Sequence, residues 1–537
     1  MKPKNKIIFL VLFAVVVALL WFLPVFVPCP ARPAYRIMSV DFAENATSAD
    51  IQNVADLLGG EFTCGDLGFC GISLPSKEYE EKLSIMRNST NPLVLGVMGD
   101  SARIELLALD TRSKAERIME NLKETIMSWY SHIFCVEAQV AQSEPTTDLK
   151  NLQTASSSLV LSYDKIKIFD AWNAIMSSST LLFQSTTTIG IIDTGVDVAN
   201  EEFLNINFGN SSPFARTDKQ PDAFPEKGDS GHGTAIAGII GANNISAHQS
   251  YFFPQMNGIL SGVTEKYVLE SRSMALFNSL AGSMINGISG DIAGYESYIR
   301  NLPPQSIINM SIGISAKDED KNQTTQYFSR LFRKNNDKLF LISAGNGGKN
   351  ASLKIPENIT GDNIIVVGAT DLSDDRAIFP NGSSNFGPTV IISAPGSLEI
   401  YAPSIRGKGS FPNEGSNAFN YTTQFGGTSG ATPLVTGVAG LLKAIKPSLT
   451  PAEIKQILIR TADPIFAETG SDEAEMPLGS GCTATSIPPG MTKRGCRLNA
   501  YKAVCDSQVG LNCAQETGTV QGYTRKGMDC ESSEPPH

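Results

Sequence analysis

The chain has 537 residues, of which 42% are hydrophobic and 18% are charged, and its formal net charge is -11. This length exceeds what one compact core supports, so we expect two or more domains of ordinary globular composition. The negative charge, with no basic patch interleaved with aromatic residues, argues against nucleic acid as a partner.

The first predicted element is an apolar segment within residues 1–34. Lys2, Lys4 and Lys6 precede an uncharged run from Ile7 to Val27. A run of about 20 residues can cross a bilayer, whereas the apolar part of a cleavable signal peptide has about 7–15 residues. The pattern predicts a signal anchor, a single-pass segment that holds the rest of the chain outside the cytoplasm at the cell membrane. A cleaved signal peptide followed by secretion is the alternative.

Residues 35–142 alternate strand and helix patterns and predict a small α+β domain. We expect a strand over Tyr35–Phe42, a helix over Ser48–Leu58 with Ser48 as its cap, and a hairpin over Leu93–Leu109. A polar stretch, residues 143–159, follows and is typical of a linker.

From residue 160 to residue 505, short apolar runs end in small residues. These runs are Thr188–Ile192, Ile307–Met310, Leu339–Ser343, Asn363–Gly368 and Val390–Ser393. Unbroken apolar strands with helices between them predict an α/β domain with a doubly wound, mostly parallel sheet. Functional sites in such sheets form at the carboxyl ends of strands. Residues 506–537 form a cysteine-containing tail.

Nine cysteines fit an oxidising compartment. Cys64 lies close to Cys70, and five more cysteines stand between Cys482 and Cys530. We expect disulfides in both regions, and the sequence leaves their pairing open.

Three polar residues stand where such a fold places its chemistry. Asp193 ends an isoleucine-rich run, His232 starts a short apolar helix, and Ser429 lies where a glycine turn enters another apolar helix. Serine is a weak nucleophile at neutral pH, so it needs an imidazole to accept its proton and a carboxylate to orient that imidazole. The three residues are therefore a candidate catalytic triad.

Four motifs carry a resemblance to a known family. They are Asp193-Thr194-Gly195, Gly231-His232-Gly233-Thr234, Ser343-Ala344-Gly345-Asn346 and Gly427-Thr428-Ser429-Gly430-Ala431-Thr432-Pro433. In this order they resemble the subtilisin-like serine proteases, or subtilases. The resemblance implies a serine endopeptidase that works through an acyl-enzyme, with Asp193, His232 and Ser429 as the triad. It also implies that the side-chain amide of Asn346 donates to the oxyanion.

The resemblance assigns the substrate-binding residues as well. Two short segments, residues 311–313 and 343–345, match the walls of the family's pocket for the residue before the scissile bond. Their members are Ser311, Ile312, Gly313, Ser343, Ala344 and Gly345. All are small or apolar, with no acid evident, which predicts an apolar or broad preference rather than a basic one.

The family's arrangement suggests that the domain over residues 35–142 is a propeptide that blocks the enzyme until the linker is cut near residues 143–158. We expect a monomer that acts on protein or peptide substrates and needs no cofactor or metal for catalysis. Calcium often stabilises this family, but no residues could be assigned to it. A catalytically inactive surface binding protein on the same fold is the alternative, because a fold does not fix a function.

Overall fold

The computed structural model describes residues 35–64, 67–99, 103–106, 159, 161–178, 186–198, 200–203, 206–208, 231–242, 258–260, 267–273, 292–380, 382–397, 400–404, 421–511 and 513. The predicted N-terminal apolar segment, the linker over residues 143–158 and most of the tail lie outside these residues. Within the described ranges, no helix combines the length and the apolar character that a bilayer crossing requires.

The N-terminal domain is a small antiparallel sheet with two helices. Its strands are β1 (Tyr35–Phe42), β2 (Phe62–Cys64), β3 (Phe69–Pro75) and β4 (Val94–Met98), and its helices are α1 (Ser48–Leu58) and α2 (Tyr79–Arg87). The strands lie in the order β2-β3-β1-β4. Apolar side chains from the sheet and from both helices form one buried cluster, so this unit has a core of its own.

The cap of α1 is Thr47, and the prediction of Ser48 is wrong. Thr47 has an extended backbone, and its Oγ1 accepts a hydrogen bond from the Asp50 N–H at 3.3 Å. The Asp50 carboxylate in turn accepts one from the Thr47 N–H at 2.9 Å. This reciprocal pair is a capping box, which satisfies two backbone donors at once and fixes where the helix begins.

The predicted hairpin over Leu93–Leu109 is also wrong. Its second half forms β5 (Arg103–Leu106), which pairs antiparallel with β10 (Ile312–Ser315) instead of β4. The backbone N–H of Gly99, just after β4, donates to the Asp320 carboxylate of the second domain at 2.7 Å. The chain is therefore tied to the second domain at the point where a hairpin would have turned back.

The second domain is built on a nine-stranded sheet within the described part of the chain. The order is β18-β19-β15-β12-β11-β9-β6-β8-β7. The strands are β6 (Thr187–Asp193), β7 (Asn207–Phe208), β8 (Tyr267–Ser273), β9 (Ile307–Met310), β11 (Leu339–Ser343), β12 (Ile364–Thr370), β15 (Val390–Pro395), β18 (Asp463–Glu468) and β19 (Met491–Arg497). Neighbouring strands run parallel except β18 and β19, which confirms the predicted mostly parallel sheet.

Helices cover both faces of this sheet. They are α3 (Ile168–Ser177), α4 (His232–Gly241), α5 (Ile292–Asn301), α6 (Asp318–Lys334), α7 (Gly427–Ile445), α8 (Pro451–Thr461) and α9 (Ala500–Val504). Along β11, Leu339 and Leu341 join the core that contains α4 and α7, while Phe340 and Ile342 join the core that contains α5 and α6. This alternation explains why the strand is apolar at each position from Leu339 to Ile342.

Two short antiparallel pairs lie beside the sheet. They are β13 (Ile378–Phe379) with β14 (Gly382–Ser383), and β16 (Ile400–Pro403) with β17 (Tyr421–Phe425).

Disulfides join Cys64 to Cys70, Cys482 to Cys496 and Cys505 to Cys513. Disulfides are thus present in both regions where the sequence predicted them.

The N-terminal sheet packs against α5 and α6. Leu67, Phe69 and Met98 of the N-terminal domain join the core on that side, and the Phe69 ring meets the Tyr327 ring edge-on at 5.2 Å. The two domains therefore share one continuous apolar contact.

Candidate active site

Asp193 and His232 are in direct contact. Asp193 is the last residue of β6, and His232 is the first residue of α4. The His232 Nδ1 lies 2.6 Å from the Asp193 Oδ1, and both side chains have no exposed surface. A carboxylate at this distance holds the imidazole in one orientation and favours the tautomer with the proton on Nδ1, in which Nε2 is the basic nitrogen.

The loops that carry these two residues are joined by hydrogen bonds. The Thr194 N–H donates to the Asp193 Oδ1 at 2.8 Å, and the Thr194 Oγ1 accepts from the Gly233 N–H at 2.9 Å. A Cβ on Gly233 would lie 2.1 Å from the Gly195 carbonyl oxygen. Glycine at position 233 is therefore required for the two loops to approach this closely.

Ser429 lies in the first turn of α7, after a left-handed Gly427 at φ 74°. Its Oγ donates to the Ser311 carbonyl at 3.3 Å, and the Ser311 Oγ donates to the Ser429 carbonyl at 3.4 Å. Pro433, four residues later, has no N–H to offer that carbonyl, so the Ser311 hydroxyl replaces the missing helical donor. Ser429 is thus fixed against the start of the predicted substrate-binding strand.

The Phe425 ring connects the imidazole to the start of α7. Its centroid is 5.3 Å from that of His232, and both residues are buried. Phe425 ends β17, two residues before α7 begins, and α4 packs directly against α7. His232 therefore lies beside the start of α7, the helix that carries Ser429.

Asn346 is oriented by Thr428, a residue to which the sequence analysis gave no role. The Asn346 Oδ1 accepts from both the N–H and the Oγ1 of Thr428, each at 2.9 Å. The Thr428 Oγ1 also accepts from the Gly345 N–H at 3.1 Å. Because the carbonyl end of the Asn346 amide is held in this way, its NH₂ end is turned to the other side. The signal for Thr428 was its position directly before the serine in the motif.

The two predicted substrate-binding segments lie at the same edge of the sheet. Ser311 follows β9, and Ile312 and Gly313 begin β10, while Ser343 ends β11, which is a direct neighbour of β9. The Ser343 Oγ donates to the Met310 carbonyl at 3.5 Å. These segments therefore lie beside each other, and their role in substrate binding stays a prediction.

One acid near this edge was missed. Glu357 is buried, and its Oε1 is 3.8 Å from the place where a Cβ on Gly345 would lie. Its segment reaches β10 because the Ile314 N–H donates to the Ile355 carbonyl at 2.9 Å. Residues 311–313 and 343–345 contain no acid themselves, but Glu357 lies next to the second segment. Glu357 could not be identified from the sequence because it lies outside both segments and meets them only in the folded chain.

Among the residues that the structure describes, no three or more histidine, cysteine, aspartate or glutamate side chains are grouped to hold a metal ion.

The chain is similar in sequence to known proteases. A family model described as "Subtilase family" matches residues 184–485, more than half of the chain. The cell wall-associated protease of Bacillus subtilis (strain 168) is 29% identical over 369 residues, covering 67% of this chain and 35% of that protein. The extracellular serine proteinase of Thermus sp. (strain Rt41A) is 28% identical over 278 residues, covering 51% of this chain and 54% of that protein. The chain thus spans about a third to a half of these relatives.

A solved structure shares the fold. The crystal structure of fervidolysin from Fervidobacterium pennivorans, a keratinolytic enzyme related to subtilisin, matches with a TM-score of 0.52. The match covers 89% of this chain and 62% of that chain at 16% sequence identity.

Proposed function

Because the chain belongs to the subtilase family, we propose that it is a serine endopeptidase that hydrolyses peptide bonds through an acyl-enzyme. The observation that carries this proposal is the buried contact of 2.6 Å between Asp193 and His232, beside α7, the helix whose first turn carries Ser429. A carboxylate, an imidazole and a serine hydroxyl in one buried region are the groups that acyl transfer needs.

In the proposed reaction, Ser429 Oγ turns from the Ser311 carbonyl to His232 Nε2 and attacks the substrate carbonyl carbon. His232 takes the hydroxyl proton, and Asp193 stabilises the resulting imidazolium. The C–N bond then breaks as His232 gives the proton to the leaving amine. A water molecule, activated by the same imidazole, hydrolyses the ester and restores Ser429.

The oxyanion of each tetrahedral intermediate needs donors that are already in place. We assign this role to the Asn346 NH₂ group, whose carbonyl end Thr428 holds, and to the Ser429 N–H at the positive end of α7. No cofactor enters these steps.

We propose that substrates pair with β10 in the way that β5 does. Leu106 lies opposite Ile312, and Glu105 lies opposite Gly313. Because the pairing is antiparallel, β5 runs towards Ser311, which contacts Ser429. Main-chain hydrogen bonds hold a peptide in this register beside the nucleophile, and these bonds are independent of the peptide's sequence.

The same pairing supports the proposal that the N-terminal domain is an inhibitory propeptide, since β5 occupies the edge that substrates need. The domain is held there by two charged contacts. Arg330 of α6 binds both oxygens of the Asp41 carboxylate, with the Nη2–Oδ2 distance at 2.8 Å. Asp320 of α6 accepts from the Gly99 N–H and from the Arg87 side chain.

Self-cleavage is the direct test of this proposal. We expect the first cut in the residues just after Leu106, because β5 runs towards Ser311 and Ser429 and ends at Leu106. We expect a later cut in the linker over residues 143–158. The full chain and its Ser429→Ala variant are expressed in an oxidising host and compared by intact mass and N-terminal sequencing. We expect three fragments from the former once both cuts are made and one intact chain from the latter. Equal, uncut masses together with no peptide hydrolysis would favour the inactive binding protein instead.

We further propose an apolar or broad preference at the position before the scissile bond, because the walls at residues 311–313 and 343–345 are small or apolar. Cleavage-site profiling with a peptide library tests this preference. A strong preference for lysine or arginine that Glu357→Gln abolishes would contradict it and would assign the preference to that buried acid.

The substrates are proposed to be proteins or peptides outside the cytoplasm, in keeping with relatives named as cell wall-associated or extracellular. Attachment to the cell membrane through residues 1–34, secretion after their removal, and a monomeric state remain proposals from the sequence.

A further inference from the structure

Asn385 lies on the loop between β14 and β15, next to the segment that carries Asn346. The Asn385 side chain is 2% exposed, and both ends of its amide are used. Its Nδ2 donates to the Ala344 carbonyl at 2.7 Å, and its Oδ1 accepts from the Lys349 N–H at 2.8 Å. One side chain therefore bridges backbone groups that lie on either side of Asn346.

The backbone of the same segment is tied to this loop as well. The Asn385 N–H donates to the Gly345 carbonyl at 2.7 Å, and the Ser383 N–H donates to the Asn346 carbonyl at 3.1 Å. Gly345 has a left-handed φ of 96°, and a Cβ there would lie 2.5 Å from the Asn385 Nδ2. The segment is thus wrapped closely around the Asn385 amide.

We infer that Asn385 is a positioning residue that holds the backbone of Asn346 so that its side-chain amide meets the oxyanion. This inference rests on the proposed function of Asn346. Thr428 fixes the far end of the Asn346 side chain, and Asn385 fixes the backbone from which that side chain starts. Two anchors are needed because a donor fixed at one end can still tilt.

The size of the effect follows from the steep distance dependence of the hydrogen bond to an oxyanion. An oxyanion donor contributes about 10²–10³-fold to kcat, and displacement by a fraction of an ångström forfeits part of this. Removal of the Asn385 amide leaves the Ala344 carbonyl and the Lys349 N–H without their partner. The segment can then relax towards other partners and carry Asn346 with it.

Asn363 offers a matched control. It is a buried asparagine whose Nδ2 donates to the carbonyls of Phe332, Asn335 and Lys338, in a loop that does not touch the proposed site. Asn363→Ala should lower the melting temperature by a similar amount and leave kcat within about twofold of the unsubstituted protein.

The test is a double-mutant cycle on kcat between positions 385 and 346, with peptide hydrolysis and melting temperature measured for each protein. We expect Asn385→Ala to lower kcat by about 10- to 100-fold, and to lower it by less than about threefold when Asn346 is already alanine. Asn385→Ser keeps a small hydrogen-bonding group, so its kcat should lie between that of Asn385→Ala and that of the unsubstituted protein. It replaces the alanine variant if the alanine variant fails to fold.

An equal loss of kcat in both backgrounds, or an unchanged kcat with a loss of stability like that of Asn363→Ala, would overturn the inference. Unsubstituted protein without any turnover would instead contradict the proposed function itself.

Discussion

The two domains differ in where their polar contacts lie. In the second domain, Asp193 binds His232 and Asn346 binds Thr428, and all four residues belong to that domain. In the N-terminal domain, the Asp41 carboxylate and the Gly99 N–H bind residues across the boundary. The proposed site is therefore assembled within one domain, whereas the attachment of the N-terminal domain depends on polar and apolar contacts between the two domains. Substitutions in the two regions should have separate consequences.

The largest effect is expected inside the site. His232→Ala removes the group that accepts the Ser429 proton in the proposed reaction, and Ser429→Ala removes the nucleophile. Each should lower kcat by about 10⁶-fold, the magnitude known for subtilisin, a member of the same family. Both variants should keep the melting temperature of the N-terminal domain. Hydrolysis of a peptide substrate measures kcat, and a His232→Ala protein within tenfold of full activity would contradict the assignment.

Asn346→Ala should have the next largest effect. Loss of one oxyanion donor lowers kcat by about 10²–10³-fold in subtilisin, and KM should change little because the donor acts mainly in the transition state. The ratio of the losses in kcat and in KM is the measurement. A loss as large as that of Ser429→Ala would show that Asn346 does more than donate one hydrogen bond.

The contrast between the domains also explains what the sequence could predict. Asp193, His232, Asn346 and Ser429 could be proposed as site residues because each lies in a short motif near the end of a buried strand or the start of a helix. The cap at Thr47 could have been found too, since Asp50 stands three residues later in the capping-box pattern.

The partner of β5 and the role of Asn385 could not be predicted. Residue 106 meets residue 312, and Asn385 meets Ala344. An extended run that follows a strand and a turn signal fits a hairpin equally well, and nothing local reveals a partner two hundred positions away. Such contacts are decided by packing between elements.

Substitution of a residue at the contact between the two domains should release the N-terminal domain and leave the proposed active site intact. Arg330→Ala leaves the buried Asp41 carboxylate without its partner, which should weaken docking by about 100-fold or more. Lys321→Ala, which removes an exposed ion pair to Asp318 on the same helix, is the matched control and should change docking by less than about threefold.

Hydrogen exchange of the N-terminal domain in the Ser429→Ala background measures this docking without self-cleavage. Equal protection in the two variants would show that the Asp41–Arg330 pair does not hold the domains together.

The smallest effect is expected from pH. Burial raises the pKa of Glu296 on α5 from 4.5 to about 7, although its carboxylate accepts from the Leu67 N–H of the N-terminal domain at 3.2 Å. A raised pKa means that docking is strongest when the carboxyl is protonated, so docking should weaken as the pH rises from about 5 through 7. The change should be at most about 100-fold.

Burial also raises the pKa of Asp41, which adds to the same trend despite the opposing Arg330 guanidinium. Glu296→Gln keeps the acceptor but cannot ionise, so its docking should vary less with pH than that of the parent. Hydrogen exchange at pH 5 and pH 8 measures both. An equal pH dependence in the two proteins, or docking that tightens as the pH rises, would rule out Glu296 as the titrating group.

The central claim is that Asp193 and His232 activate Ser429 as a nucleophile. Labelling by a fluorophosphonate tests this claim most directly. The N-terminal domain is removed, the protein is labelled, and the labelled residue is identified by peptide mass spectrometry. The account predicts one adduct, on Ser429, in the unsubstituted protein and no adduct in the His232→Ala variant. An unlabelled Ser429 in folded protein, or labelling that persists unchanged without the imidazole, would contradict the claim.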